Sequence, residues 1–101
     1  MFNICPSNTK LLIQTERKRL FILPLINYQY NLYAIKKMIE EKEYIQIDQQ
    51  QLFFCNEELT YDYQGIDIYH NYFHQKYNKC LYMSAIQLKL KKYQNIDKII
   101  W

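Results

Sequence analysis

His70 and His74 are the first residues of this chain whose types and spacing could do chemistry together. Four positions apart, they would share one face of a helix, the spacing of a two-histidine metal site. A closed zinc site needs about four ligands. Cys80 is the only thiol near them, and no carboxylate completes the set, so no metal and no cofactor are expected. Cys55 or Cys80 paired with either histidine would supply a nucleophile and its base. That chemistry also needs an oxyanion cradle and a pocket. The chain has a single glycine, Gly65, and 101 residues leave little room for a cleft. An enzyme is therefore not expected, nor is a small-molecule substrate. The cationic groups, Lys10, Arg17-Lys18-Arg19 and Lys89/Lys91/Lys92, read as solvated faces. With 13 basic against 10 acidic residues the net charge is only +3, too little for binding driven by phosphate contacts, so no nucleic-acid partner is expected.

The elements that must position these residues belong to one domain, because a chain of this length holds one core. Half of the residues are hydrophobic and 17% are aromatic, enough to fill it. Three cysteines, Cys5, Cys55 and Cys80, are an odd number without a close pair, which reads as free thiols in a reducing compartment. The longest apolar stretch, residues 20–26, is interrupted by Pro24 and is far shorter than the roughly 20 residues of a membrane helix. The opening residues, Met1 to Pro6, lack a basic start followed by an apolar run, so a secretory signal is not expected. The expectation is an intracellular, cytoplasmic protein without a membrane span, an organellar or ciliary assembly being the alternative.

Residues 1–9 read as a lead-in. Leu11 to Gln14 and Leu20 to Leu23 are short β-type runs around a five-residue polar turn, a hairpin whose second strand ends at Pro24, which lacks the N–H a ladder needs. Asn31 is suited to cap a helix, and Leu32, Ile35 and Met38/Ile39 recur at helical spacing up to about Lys42 or Glu43. Leu52 to Cys55 is an aromatic-rich strand candidate. Residues 66–73 read as a short helix or turn, and Cys80 to Ile86 as the last strand. Strand, strand, helix, strand, short element, strand is an α+β order, a mixed sheet packed on one main helix.

The centre of the chain resembles ubiquitin. Lys42-Glu43, Ile45, Asp48-Gln49-Gln50, Leu52 and Phe54 reproduce that family's helix end, loop and third strand without a gap, and Leu59 falls at its next buried leucine. The resemblance covers about 25 residues. It implies a β-grasp fold in which Gln50 turns inward to satisfy backbone groups of the helix-to-strand loop and the Tyr69 hydroxyl ties down a neighbouring loop. Family members that are conjugated to other proteins end in Gly-Gly. With Gly65 as the one glycine and Ile99-Ile100-Trp101 at the end of this sequence, a non-conjugated member is expected. Residues 70–79 read as a small insertion.

By the same resemblance, Phe53 matches the centre of the family's apolar binding patch, and Tyr82 and Ser84 match its two positions on the last strand. A second contact is expected from the tail, through Leu88, Leu90, Tyr93, Ile99, Ile100 and Trp101. The expected division is a lead-in over 1–9, the ubiquitin-like domain over 10–87 and the tail over 88–101. The expected core is Leu12 or Ile13, Leu20, Ile22, Leu32, Ile35, Ile39, Ile45, Leu52, Phe54, Leu59, Leu81 and Met83. The expected function is a non-catalytic interaction subunit of a larger protein assembly. The alternative is a transient regulator that mimics ubiquitin at its receptors.

Overall fold

The computed structural model describes residues 10–25 and 30–91. The hairpin forms where the apolar runs place it: β1 is Lys10–Thr15 and β2 is Leu20–Pro24, antiparallel with Leu12 opposite Ile22. Its turn has no glycine. Lys18 takes the left-handed conformation at φ 68°, and the Thr15 hydroxyl accepts from the Arg19 N–H at 3.1 Å, closing the loop in place of the usual Asn-Gly. The inward residues are Leu11 and Ile13 on β1 and Phe21 and Leu23 on β2. This corrects two expected core positions. Leu20 is 55% and Ile22 48% exposed, so β2 presents the opposite face from the one anticipated. All four residues from Leu20 to Leu23 are apolar, and alternation has nothing polar with which to mark the outside.

Helix α1, Leu32–Glu43, is capped as expected: the Asn31 side chain accepts from the Ala34 N–H at 2.8 Å. Tyr44 ends it in the left-handed region at φ 59°. Leu32, Ile35 and Ile39 are fully buried against the sheet. Ile45 is half-buried at the edge of the core. A 3-10 turn, Ile47–Gln49, leads into β3, Gln50–Phe54, and then β4, Glu57–Glu58. The last strand, β5, is Ile86–Leu90; it runs parallel to β1 and antiparallel to β3, giving the order β2-β1-β5-β3-β4. This five-stranded mixed sheet carrying a helix is the α+β, β-grasp arrangement expected.

Two expectations about the second half are corrected. The short helix or turn expected over residues 66–73 is longer: Ile66–Tyr77 is a regular helix, α2, ended by Asn78 in the left-handed region, with the Asn78 and Lys79 N–H groups returned to the His74 and Phe73 carbonyls. The last strand is not Cys80 to Ile86. Residues 81–84 turn, with the Met83 N–H on the Cys80 carbonyl at 3.1 Å, and Met83 is exposed rather than core. The strand begins where Ile86-Gln87-Leu88-Lys89-Leu90 alternates cleanly. The sheet thus continues past the expected domain boundary at residue 87. Lead-in residues 1–9 and tail residues 92–101, with Tyr93, Ile99, Ile100 and Trp101, lie outside the described residues.

Helix α2 is fastened to the start of β4 by one carboxylate. Glu57 accepts from the Tyr72 hydroxyl at 2.6 Å, from Lys76 Nζ at 2.8 Å and from the Tyr77 hydroxyl. These bonds, that from Lys76 the strongest, hold the Glu57 carboxyl down to about 2. A carboxyl with a depressed folded pKa contributes stability above its ordinary value of 4.5 and loses it as pH falls toward 2. Thermal unfolding followed between pH 5 and 2 should therefore show a steeper acid loss in the wild type than in Glu57→Gln. The difference should shrink in high salt, because Glu57 and Lys76 are solvent-accessible. Equal slopes would mean that the carboxylate is solvated rather than engaged.

Candidate interaction surface

The outward face of the sheet is built by register. Leu20 on β2 lies opposite Gln14 on β1, Gln14 beside Gln87 on β5, Gln87 opposite Phe53 on β3, and Phe53 opposite Glu58 on β4. One row thus crosses all five strands, apolar at Leu20 and Phe53 and polar between them. The middle is closed by a hydrogen bond from Gln87 Nε2 to Gln14 Oε1 at 3.1 Å. Leu12 and Ile22, a cross-strand pair, widen the hairpin end of this row into an aliphatic patch. At the other end the ring of Phe53, half-buried, lies under Lys89, whose Nζ is 4.9 Å from its centroid. Such an exposed cation–π contact is worth about 0.5–1 kcal/mol.

Of the three residues matched to the family's apolar patch, Phe53 lies on the outward face of the sheet. Tyr82 is 6% exposed and sits in the turn before β5, its ring 4.9 Å from that of His70. It belongs to the core, and its expected place on the outward face is corrected. Ser84 lies in the same connection, lining a groove with Phe54 and Lys89. Gln87 and Lys89 hold the two β5 positions assigned to Tyr82 and Ser84. Leu88 is buried opposite Leu52, whereas Leu90, opposite Gln50, is half exposed. The hairpin aliphatics Leu20 and Ile22 were assigned to the core, and only the register of β1 and β2 brings them to the surface.

His70 and His74 do share a face of α2, with ring centroids 5.7 Å apart. His70 Nδ1 accepts from the Leu81 N–H at 3.3 Å, so this histidine holds the α2–β5 connection. Burial, with His74 nearby, pushes its pKa down, which keeps that nitrogen an acceptor. Among the described residues no three His, Cys, Asp or Glu side chains gather in a metal-binding group. Cys55 is a free, half-buried thiol. Cys80 is disulfide-bonded, which corrects the reading of three free thiols. No described helix is long and apolar enough to cross a membrane.

No protein-family model matches this sequence, and no curated protein sequence matches it. Its structure is similar to the NMR solution structure of a computationally designed protein based on the template of human erythrocytic ubiquitin. The TM-score is 0.64 with 13% identity, over 84% of this chain and 94% of that one. At that identity the likeness shows the fold, a ubiquitin-like β-grasp, and nothing of the activity.

Proposed function

We propose that this protein is a non-catalytic, ubiquitin-like interaction subunit, an accessory or adaptor component of a larger protein assembly, docked through the outward face of its sheet. The observation that carries this reading is the aliphatic patch of Leu12, Leu20 and Ile22. The core is complete without it, yet Leu20 and Ile22 stand exposed at alternate positions of one strand, on the same face. Apolar side chains that serve no core and lie contiguous on a flat sheet face are the composition of an interface centre. The half-exposed Leu90 and the tail residues Tyr93, Ile99, Ile100 and Trp101 are proposed as a second contact. The competing reading, a transient mimic of ubiquitin, would rely on Phe53. Here Lys89 lies over that ring, which favours the hairpin patch and a lasting complex.

The test is purification of the tagged protein from its own cells in high salt, followed by mass spectrometry, for the wild type, Leu20→Asp/Ile22→Asp, Phe53→Ala and a chain lacking residues 92–101. The expected result is one stoichiometric set of subunits, lost with the double aspartate variant, which keeps its wild-type circular dichroism because both positions are exposed. Weak capture abolished only by Phe53→Ala would establish the mimic instead. An identical set from wild type and double variant would overturn docking through this face.

A further inference from the structure

Charge is segregated along this chain more strongly than its net value suggests. From Glu43 to Gln75 there are six acidic residues and not one lysine or arginine, a local charge of −6 with histidines neutral. The rest of the chain holds all 13 basic residues against four acidic ones, or +9. The fold gathers part of the acidic segment around a groove of about 420 Å³ between β4 and α2. Leu59 and Phe73 form its buried floor, Tyr61 and Ile68 its exposed wall, and Glu57 and Glu58 its acidic mouth.

The groups around this groove are not equivalent. Glu57 is filled by Tyr72, Tyr77 and Lys76, and the Lys76 ammonium also lies over the Tyr72 ring. Glu58 is exposed, with no hydrogen bond or ion pair among the described residues. Tyr61 is 69% exposed; its backbone is fixed on both sides by the Tyr69 hydroxyl, which accepts from its N–H at 2.7 Å and donates to its carbonyl at 3.2 Å, while its own ring face is uncovered. Three of the six acids are paired by basic residues outside the segment, Glu43 by Arg19, Asp62 by Lys36 and Glu57 by Lys76, which leaves Glu58 as the open carboxylate of the groove. An exposed aromatic ring and an unpaired carboxylate lining one groove are complementary to a guanidinium. That group stacks on aromatic faces and forks onto carboxylates, whereas an ammonium is a compact, strongly hydrated point charge.

We propose that the groove between β4 and α2 receives an arginine-bearing segment of a partner protein, its guanidinium stacked on Tyr61 and paired with Glu58. This deepens the interaction reading by naming a second surface and the chemistry of what it takes. The groove meets the outward sheet face at Glu58, the end of the row across the sheet, but its floor belongs to the core side, where α2 packs through Phe73 on Phe54, which points inward from β3.

The experiment is an NMR titration of the isotope-labelled full chain with the blocked peptide acetyl-Gly-Arg-Ala-Arg-Gly-amide and with its lysine counterpart. The arginine peptide should shift the amide signals of Glu58, Tyr61 and Ile68, and should bind about tenfold more tightly than the lysine peptide. Glu58→Gln and Tyr61→Ala should each weaken it by about threefold to fivefold, the reach of an exposed ion pair and of an exposed cation–π contact. Both positions are exposed, so neither change threatens the fold. Equal binding of the two peptides, shifts spread over the acidic surface, shifts centred on Leu20 and Ile22 or no shifts at all would each overturn the proposal. The titration is independent of the co-purification above. Its failure with the Leu20→Asp/Ile22→Asp effect intact removes this groove alone, and the converse removes the sheet-face reading alone.

Discussion

Phe73→Ala is expected to destabilise the domain by about 3–5 kcal/mol, read as a drop in the urea midpoint with an unchanged slope. Phe73 is 1% exposed in the middle of α2 and meets the Phe54 ring edge-on at 4.9 Å. The rings of Tyr72 and Tyr77 lie 5.0 and 6.0 Å from that of Phe73. Truncation removes the anchor that joins α2 to β3, and a cavity of that size closes only partly, so transfer and cavity terms add. Against the 5–15 kcal/mol of an ordinary domain this is a large share. Asn71→Ala, on the exposed face of the same helix, should stay within about 0.5 kcal/mol. A cost below about 1 kcal/mol for Phe73→Ala would mean that α2 is an appendage and not a wall of the core.

That result bears on what the sequence could disclose. Helix α1 and the start of β3 were legible because local signals agree there: a capping asparagine, apolar residues on one helical face, then a polar break before an aromatic strand. In α2 the signal was present and underweighted. Ile66, Tyr69, Phe73 and Tyr77 recur every three to four residues, and Asn78 can adopt the left-handed end that stops a helix. Aligning the chain on the ubiquitin family obscured this, since α2 extends through the residues that such an alignment set aside as an insertion. The same alignment drew the last strand forward onto Tyr82 and Ser84, although Ile86 to Leu90 alternates better by itself.

The hairpin is a different case, because no local reading could have resolved it. Leu20-Phe21-Ile22-Leu23 is apolar on both faces, and the chain decides between them only through tertiary packing: Phe21 and Leu23 complete the core with Leu11 and Ile13. What hid the register also marks the surface. Leu20 and Ile22 are left outside that packing, and they are the residues that the proposed sheet-face contact would cover. The acidic groove was legible as charge, since a run of 33 residues without lysine or arginine can be counted from the sequence. That it closes around Tyr61 and Ile68 depends on how α2 packs.

Gln50→Glu is expected to cost about 3–5 kcal/mol at pH 7.5, the scale of an uncompensated buried charge. Gln50 is 2% exposed, and its Nε2 donates to the Lys36 carbonyl at 2.9 Å and to the Ile45 carbonyl at 3.0 Å. Lys36 lies inside α1, where its carbonyl also takes part in the helix ladder, so the loop carbonyl of Ile45 depends more on the amide. Gln50→Leu leaves these acceptors short of a donor and should cost about 1–3 kcal/mol at any pH. Gln50→Glu does worse, because an ionised carboxylate only accepts and would face two further acceptors in a site that excludes water. Burial raises the folded pKa of such a carboxyl above its unfolded value, so the penalty is full above the folded pKa and lifts as pH falls, when the protonated acid can donate one bond. Urea midpoints relative to the wild type at pH 7.5 and 5 separate the two variants. The gap between Gln50→Glu and wild type should narrow on acidification, while that of Gln50→Leu stays constant. If the two variants track each other with pH, water reaches the glutamate, and the amide is then not what closes the joint between α1 and β3.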